Sequence, residues 1–209
     1  MASSDERVER IRSRLLTRPA PAEDQASLTP DFTPPIAFDQ PPVQAAVLIG
    51  LVRRNDTFSV LYTVRSSDLR IHSGQISFPG GKVDRTDFGA GSAALREANE
   101  EIGLDIGDAE IIGYQPSYLS GFNYLITPVV AIVEPRHPFV PNPLEVDEIF
   151  EVPLPYLAAE QNYGTYDIRR GTFEHRTWRL DYESWTIWGI TANLTKQFRD
   201  TALYGDETW

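Results

Sequence analysis

Phe78-Pro79-Gly80-Gly81-Lys82, followed after a short Gly/Ala segment by Leu95-Arg96-Glu97-Ala98-Asn99-Glu100-Glu101-Ile102-Gly103-Leu104, decides how this chain is read. A glycine turn feeds a segment in which Leu95, Ala98 and Ile102 recur at helical spacing. Gly103 stands where a left-handed cap would end that helix. At about 100° per residue, Glu97, Glu100 and Glu101 share an arc of roughly 100° bordering the apolar stripe. They occupy the last turns, where the helix dipole favours cations over anions. Carboxylates crowded at that end cost stability, and bound divalent cations would reverse the cost, because carboxylate oxygens are the hard ligands that Mg²⁺ takes alongside water and phosphate. The plain alternative is an acidic solvated face, with Arg96 pairing to Glu100 one turn on.

The rest of the composition narrows the chemistry. The chain has 209 residues, enough for one domain with an appended arm, and a formal net charge of -11. That charge argues against nucleic acid or an anionic membrane as the main partner, but not against a phosphorylated small molecule met by metal ions and a few arginines. Without cysteine there is no disulfide, thiolate nucleophile or cysteine zinc site, and His72, His137 and His175 are too scattered for a histidine-rich metal site. The polar first residues carry no secretory pattern and no apolar run approaches a membrane span, so a cytoplasmic location is expected.

Working outward, residues 5–17 place Val8, Ile11 and Leu15 at helical spacing, a short amphipathic helix with an arm or packing role. Residues 18–42 are proline-rich and read as an extended linker over the domain. Strands are expected at Ala45–Arg53, Phe58–Val64 and Ile76–Pro79, the first two as a hairpin, then at Ala109–Tyr114, Tyr124–Val133 and Asp147–Val152. Ser117–Asn123 reads as an aromatic loop and Leu154–Glu160 as a brief helix. Tyr163–Arg169 and Phe173–Leu180 form a second hairpin, and Ile187-Trp188-Gly189 opens a final helix through Arg199. The order predicts an α/β (α+β) fold with a mixed β-sheet sandwiched between helices.

Gly81 through Leu104 resembles the signature of the Nudix hydrolases, G-x5-E-x7-R-E-U-x-E-E-x-G-U with U aliphatic. The second half matches with alanine at the first U. In the first half the acidic residue is Asp87 instead of glutamate, and the gap from it to Arg96 is one residue longer. This variant resembles the coenzyme A pyrophosphatase branch, whose upstream motif L-L-T-x-R-[SA]-x3-R-x3-G-x3-F-P-G-G finds Leu61, Thr63, Arg65, Ser66, Arg70, Gly74, Phe78, Pro79, Gly80 and Gly81 in register, with Tyr62 at the second leucine. Further likeness lies at Ile126–Val130, Asn142–Val146, Val152–Leu154 and Ile187–Ala192, so the resemblance covers most of residues 45–195.

The resemblance implies a Nudix fold over residues 44–209, preceded by a helix and proline-rich arm over residues 1–43. It also implies Mg²⁺- or Mn²⁺-dependent cleavage of coenzyme A or an acyl derivative into 3',5'-ADP and (acyl-)4'-phosphopantetheine. Pyrophosphate hydrolysis needs its charge neutralised, a water activated and attack held in line. Glu97, Glu100, Glu101 and the Gly81 carbonyl are the expected metal ligands, and Arg96 the residue that orients them. Glu100, Glu145 and Glu148 are candidates for the base, with plain surface acidity the alternative for the last two. Arg65 and Arg70 are expected on the substrate phosphates or in a structural salt bridge. Ser73, Gly74, Gln75 and Phe78 form the same wall, and Tyr118, Phe122 and Tyr124 are weaker candidates for stacking on adenine. Trp188 is expected in the core. Rival readings are the same fold acting on ADP-ribose, NADH or a nucleotide sugar, a silent nucleotide-binding module, and an acidic structural protein. A homodimer is compatible with all of them.

Overall fold

The computed structural model describes residues 3–20, 28, 38–68, 73–170 and 173–205. Helix α1 (Ser4–Ser13) is opened by a capping box, in which Ser3 Oγ accepts the Glu6 N–H at 3.2 Å and the Glu6 carboxylate accepts the Ser3 N–H at 2.8 Å. Of the two roles expected for this helix it takes packing: Val8 and Ile11 are buried in the core, and Leu16 exchanges two backbone hydrogen bonds of 2.9 Å with Tyr114. Most of the proline-rich stretch lies outside the described residues.

The main sheet is built from β1 (Val43–Arg54), β2 (Thr57–Arg65), β3 (Ile76–Ser77), β4 (Gly80–Lys82), β5 (Ala109–Tyr114), β6 (Tyr118–Leu119), β7 (Tyr124–Val133) and β8 (Val146–Pro153), with α2 (Ala90–Ile102) between β4 and β5. Its spine runs β3-β2-β1-β7-β5, with β4 on β1, β6 on β7 and β8 on β2. The β1–β7 pair is parallel and the others are antiparallel. β1 and β7 read as unbroken apolar runs because both faces of the sheet are covered. Ala46, Leu48, Val129 and Ala131 face Ala93, Ala94, Ala98 and Ile102 of α2. On the other face, Ile49, Leu51, Val130 and Ile132 meet α1, α3 (Leu154–Ala158) and α4 (Gly189–Phe198).

Two expectations change. Tyr118–Leu119, placed in a loop, pair with β7. Ile187 and Trp188 do not open a helix: Trp185–Trp188 forms β11, which joins β9 (Tyr163–Arg170) and β10 (Phe173–Tyr182) in a separate three-stranded sheet. The helix starts at Gly189, whose φ of +68° breaks the strand, and it gives way to a π-turn at Arg199–Leu203.

Glycine is obligatory at position 80. With φ at +155°, a Cβ there would stand 2.4 Å from Ala46 O and 2.7 Å from Val47 Cα, so β4 could not close on β1. Gly80→Ala is expected to cost at least about 3 kcal/mol in urea unfolding. Gly164→Ala, where a Cβ meets nothing within 4 Å, is expected to stay within about 0.5 kcal/mol of the parent.

Candidate active site

β1 and β2 pair at Leu51–Arg54 with Thr57–Val60 and then diverge. The gap is filled by β3, paired to Thr63–Val64, and β4, paired to Ala45–Val47. The glycine turn thus lies in a split of the sheet, on the face covered by α2. Gly81 lies against Glu97, and a Cβ at 81 would come within 2.4 Å of Glu97 Oε1. The Gly80 N–H donates to Glu101 Oε2 at 3.1 Å. α2 ends on Gly103 in the left-handed conformation, φ +66° and ψ +24°. The Glu101 and Ile102 carbonyls, orphaned at a helix end, accept the Asn142 and Val140 N–H groups at 2.8 and 2.9 Å.

Arg96 ties the site together. Its Nε and Nη2 bind Asp87 at 3.1 and 3.0 Å, Nη2 also donates to Lys82 O at 3.1 Å, and Nη1 donates to Glu97 Oε1 at 3.0 Å and Glu100 Oε2 at 3.2 Å. Asp87, only 5% exposed, also accepts the Asp84 N–H at 2.8 Å. The Arg96 guanidinium holds the Asp87 carboxyl below the usual carboxylate range, and Asp87 in turn raises Arg96. No task was assigned to Asp87 from sequence, although its place as the acidic residue of the signature was the available signal.

The glutamates differ in burial. Glu100 is exposed, Glu97 half-buried and Glu101 3% exposed. Burial pushes the Glu101 carboxyl up to about 7, against the Gly80 N–H and the Arg65 charge, which favour ionisation. Glu97 is also raised, first by burial and then by Glu100 and Glu145, although Arg96 opposes the shift. In this conformation, among the described residues, no three acidic or imidazole side chains converge into a coordination shell, because Arg96 engages Glu97 and Glu100. The donor set nonetheless fits a hard divalent cation: a buried carboxylate supported by one backbone N–H, a second in the space left by the missing Gly81 side chain, and a third exposed beside them.

Glu145 joins this group. Ser66 N–H donates to its carbonyl at 2.8 Å, its own N–H reaches Asn142 O at 2.9 Å, and its charge raises both Glu97 and Glu101. Glu148 does not. It lies opposite Val64, and cross-strand partners share a face. Val64 packs on the core face away from α2, so Glu148 projects from the wrong side of the sheet. Arg65, one residue on, faces the glutamates, and its buried Nε has no hydrogen-bond partner among the described residues. Arg70 lies outside the described residues.

Gln75 stands opposite Arg65, with Gln75 O accepting the Arg65 N–H at 2.9 Å. Gly74 N–H returns to Arg65 O at 3.0 Å, and Ser73 Oγ donates to Ser67 O at 2.8 Å. Phe78 is removed from the wall: it is buried and stacked on Tyr62, ring centroids 4.8 Å apart. Tyr118 and Tyr124 pack against the core, whereas Phe122 is 54% exposed. Trp188 is half-buried and meets Tyr166 at 5.6 Å.

The NUDIX domain model matches residues 42–170. Over 154 residues the chain is 44% identical to an uncharacterized Nudix hydrolase, NudL, of Escherichia coli strain K12, covering 74% of this chain and 80% of that protein. The NudL of Escherichia fergusonii is 43% identical over the same length, with the same coverage. A crystal structure of a Nudix hydrolase from M. smegmatis, RenU, superposes with a TM-score of 0.42 at 22% identity, covering 55% of this chain and 72% of that one. The chain belongs to the Nudix hydrolase family, whose members generally use divalent cations.

The Glu101 shift carries a stability signature in cation-free protein. Its folded value, about 7, lies above the ordinary 4.5, so the folded state binds the extra proton between those pH values. The stabilisation is full below pH 4.5 and is lost as pH rises through 7. With a chelator present, the parent should lose on the order of 3 kcal/mol more than Glu101→Gln between pH 4.5 and 8, read by denaturant unfolding.

Proposed function

We propose that this chain hydrolyses the pyrophosphate bond of coenzyme A or its acyl derivatives, releasing 3',5'-ADP and (acyl-)4'-phosphopantetheine. The observation that carries the reading is Arg65. It belongs to the upstream motif that resembles the coenzyme A branch, it faces the glutamates, and among the described residues it keeps a buried guanidinium nitrogen unpaired. A buried unpaired donor costs free energy until an anion meets it, and a guanidinium suits a phosphate. Arg70, by its place in the same motif, is assigned to the phosphates as well, including the 3'-phosphate. Ser73, Gly74 and Gln75 shape the loop that presents Arg65.

Glu97, Glu100, Glu101 and the Gly81 carbonyl would hold Mg²⁺ or Mn²⁺, which when bound neutralises the anionic oxygens that repel a nucleophile. Arg96 keeps the glutamates and the Lys82–Asp87 loop in one frame. Glu145 serves as the base: it is anchored through its backbone to Asn142 and Ser66, and its carboxylate sits in the field of Glu97 and Glu101. It takes the proton of the water that attacks phosphorus, and the leaving phosphate departs in line.

Incubation with coenzyme A and Mg²⁺ is expected to release 3',5'-ADP, detected by mass spectrometry. Rapid turnover of ADP-ribose with none of coenzyme A would transfer the assignment to another nucleoside diphosphate derivative.

Substitutions separate the roles of the glutamates. Glu145→Gln should lower kcat by about 10²–10⁴-fold while Mn²⁺ still binds. Glu100→Gln should lose most activity, weaken Mn²⁺ binding and keep the fold. Retained turnover in Glu145→Gln would return the base to Glu100.

A further inference from the structure

Helix α4 lies beyond residue 170, where the family match ends, on the sheet face opposite the glutamates. Its polar side chains nevertheless turn inward. Thr191 Oγ1 donates to Ile76 O at 2.8 Å. Asn193 Nδ2 donates to the Tyr118 hydroxyl at 2.7 Å and Gln197 Nε2 to Pro116 O at 2.8 Å. Thr195 Oγ1 gives its proton to Thr191 O at 2.8 Å, so the Tyr62 hydroxyl is the donor in the 3.0 Å contact between Tyr62 and Thr195.

The Thr191 bond differs from the others in where it lands. Ile76 belongs to β3, which is two residues long, pairs with β2 at Thr63–Ser77 and Val64–Ile76, and takes a further bond from Thr63 Oγ1 to Ser77 O at 3.2 Å. Four residues after Ile76 comes Gly80, whose N–H meets Glu101, and the intervening Pro79 O accepts the Leu48 N–H at 2.8 Å. The segment feeding the glycine turn is thus held by β2 at Ile76 and Ser77, by β1 at Pro79, by α2 at Gly80 and by α4 at Ile76. The last of these ties comes from a helix on the opposite face of the sheet.

We propose that Thr191 is a positioning residue for the active site: its hydroxyl fixes β3, and through it the angle at which Gly80 and Gly81 meet the glutamate helix. The C-terminal helix thereby tunes a cation site on the opposite face of the sheet. This deepens the reading of Glu97, Glu100, Glu101 and Gly81 as that site and rests on it.

Thr195→Val is the matched control. It removes a still more deeply buried hydroxyl from the same helix, one bonded within the helix to Thr191 O and to Tyr62, inside β2 and opposite Phe150. The measurements are Mn²⁺ affinity by electron paramagnetic resonance and exchange of the Gly80 amide by NMR in cation-free protein. Thr191→Val should weaken Mn²⁺ binding about threefold to tenfold and speed Gly80 exchange by a similar factor. Thr191→Ser should restore both, and Thr195→Val should lower Tm while leaving both unchanged. Thr191→Ala, which adds no bulk, carries the same expectation if the valine variant does not fold. Parent-like values in the Thr191 variants would overturn the proposal, as would an equal shift in Thr195→Val. If the parent binds no Mn²⁺, the cation reading fails, and Gly80 exchange still decides whether Thr191 holds the turn.

Discussion

Charge crowding at the C-terminal end of α2 governs the surrounding structure, and Arg96 is what makes it tolerable. A guanidinium has five N–H donors in a fixed plane. The hydrogen bonds of Arg96 go to Asp87 through two atoms, to Lys82 O, to Glu97 and to Glu100. A lysine could supply the charge but not the fork, and could not span loop and helix at once. Arg96 and Arg65 together do not offset Asp87, Glu97, Glu100, Glu101 and Glu145, so the site stays net negative. The clamp keeps the geometry without cancelling the field that a divalent cation would meet there.

Asp87 stands at the acidic position of the signature with a side chain one methylene shorter than glutamate, so its backbone comes close to the arginine it binds. A tight turn fixes it there: Asp87 N–H donates to Asp84 O and the Asp87 carboxylate accepts the Asp84 N–H.

The parts of the fold legible in the sequence were those dominated by one strong pattern. β1 and β7 were visible as apolar runs, α2 by its alanine and leucine stripe, and Gly103 by the residue that a left-handed cap requires. The second sheet was partly hidden because Trp185–Trp188 is four residues long and runs straight into a helix, so neither period has room to declare itself. The site was legible in its residue types but not in its facing. Glu145 and Glu148 look equivalent in the chain. Glu148 lies inside β8 opposite Val64, whereas Glu145 precedes the strand, in a turn whose backbone bonds to Asn142 and Ser66. Where that turn ends and the strand begins is set by how the chain packs, and the residue types on either side do not encode it. Phe78 was misread for a related reason: a residue next to a glycine turn is near the site in sequence, yet its side chain can point through the sheet.

The remaining tension is between the net charge of -11 and the polyanionic substrate proposed for the site. The overall field opposes approach, so attraction has to be local. Arg65 supplies one fixed positive group whose buried Nε is unpaired among the described residues, and its charge already acts on Glu101. On the proposed reading the glutamates, repulsive to phosphate when bare, would become attractive once their charge is carried by cations. Recognition would then be conditional: the carboxylates that reject the substrate without metal would organise its binding with metal. A site so built would need its ligands held at fixed spacing before the cation arrives, because three carboxylates free to move apart would do so. The glycine turn, the Arg96 clamp and the capped end of α2 all serve that single requirement.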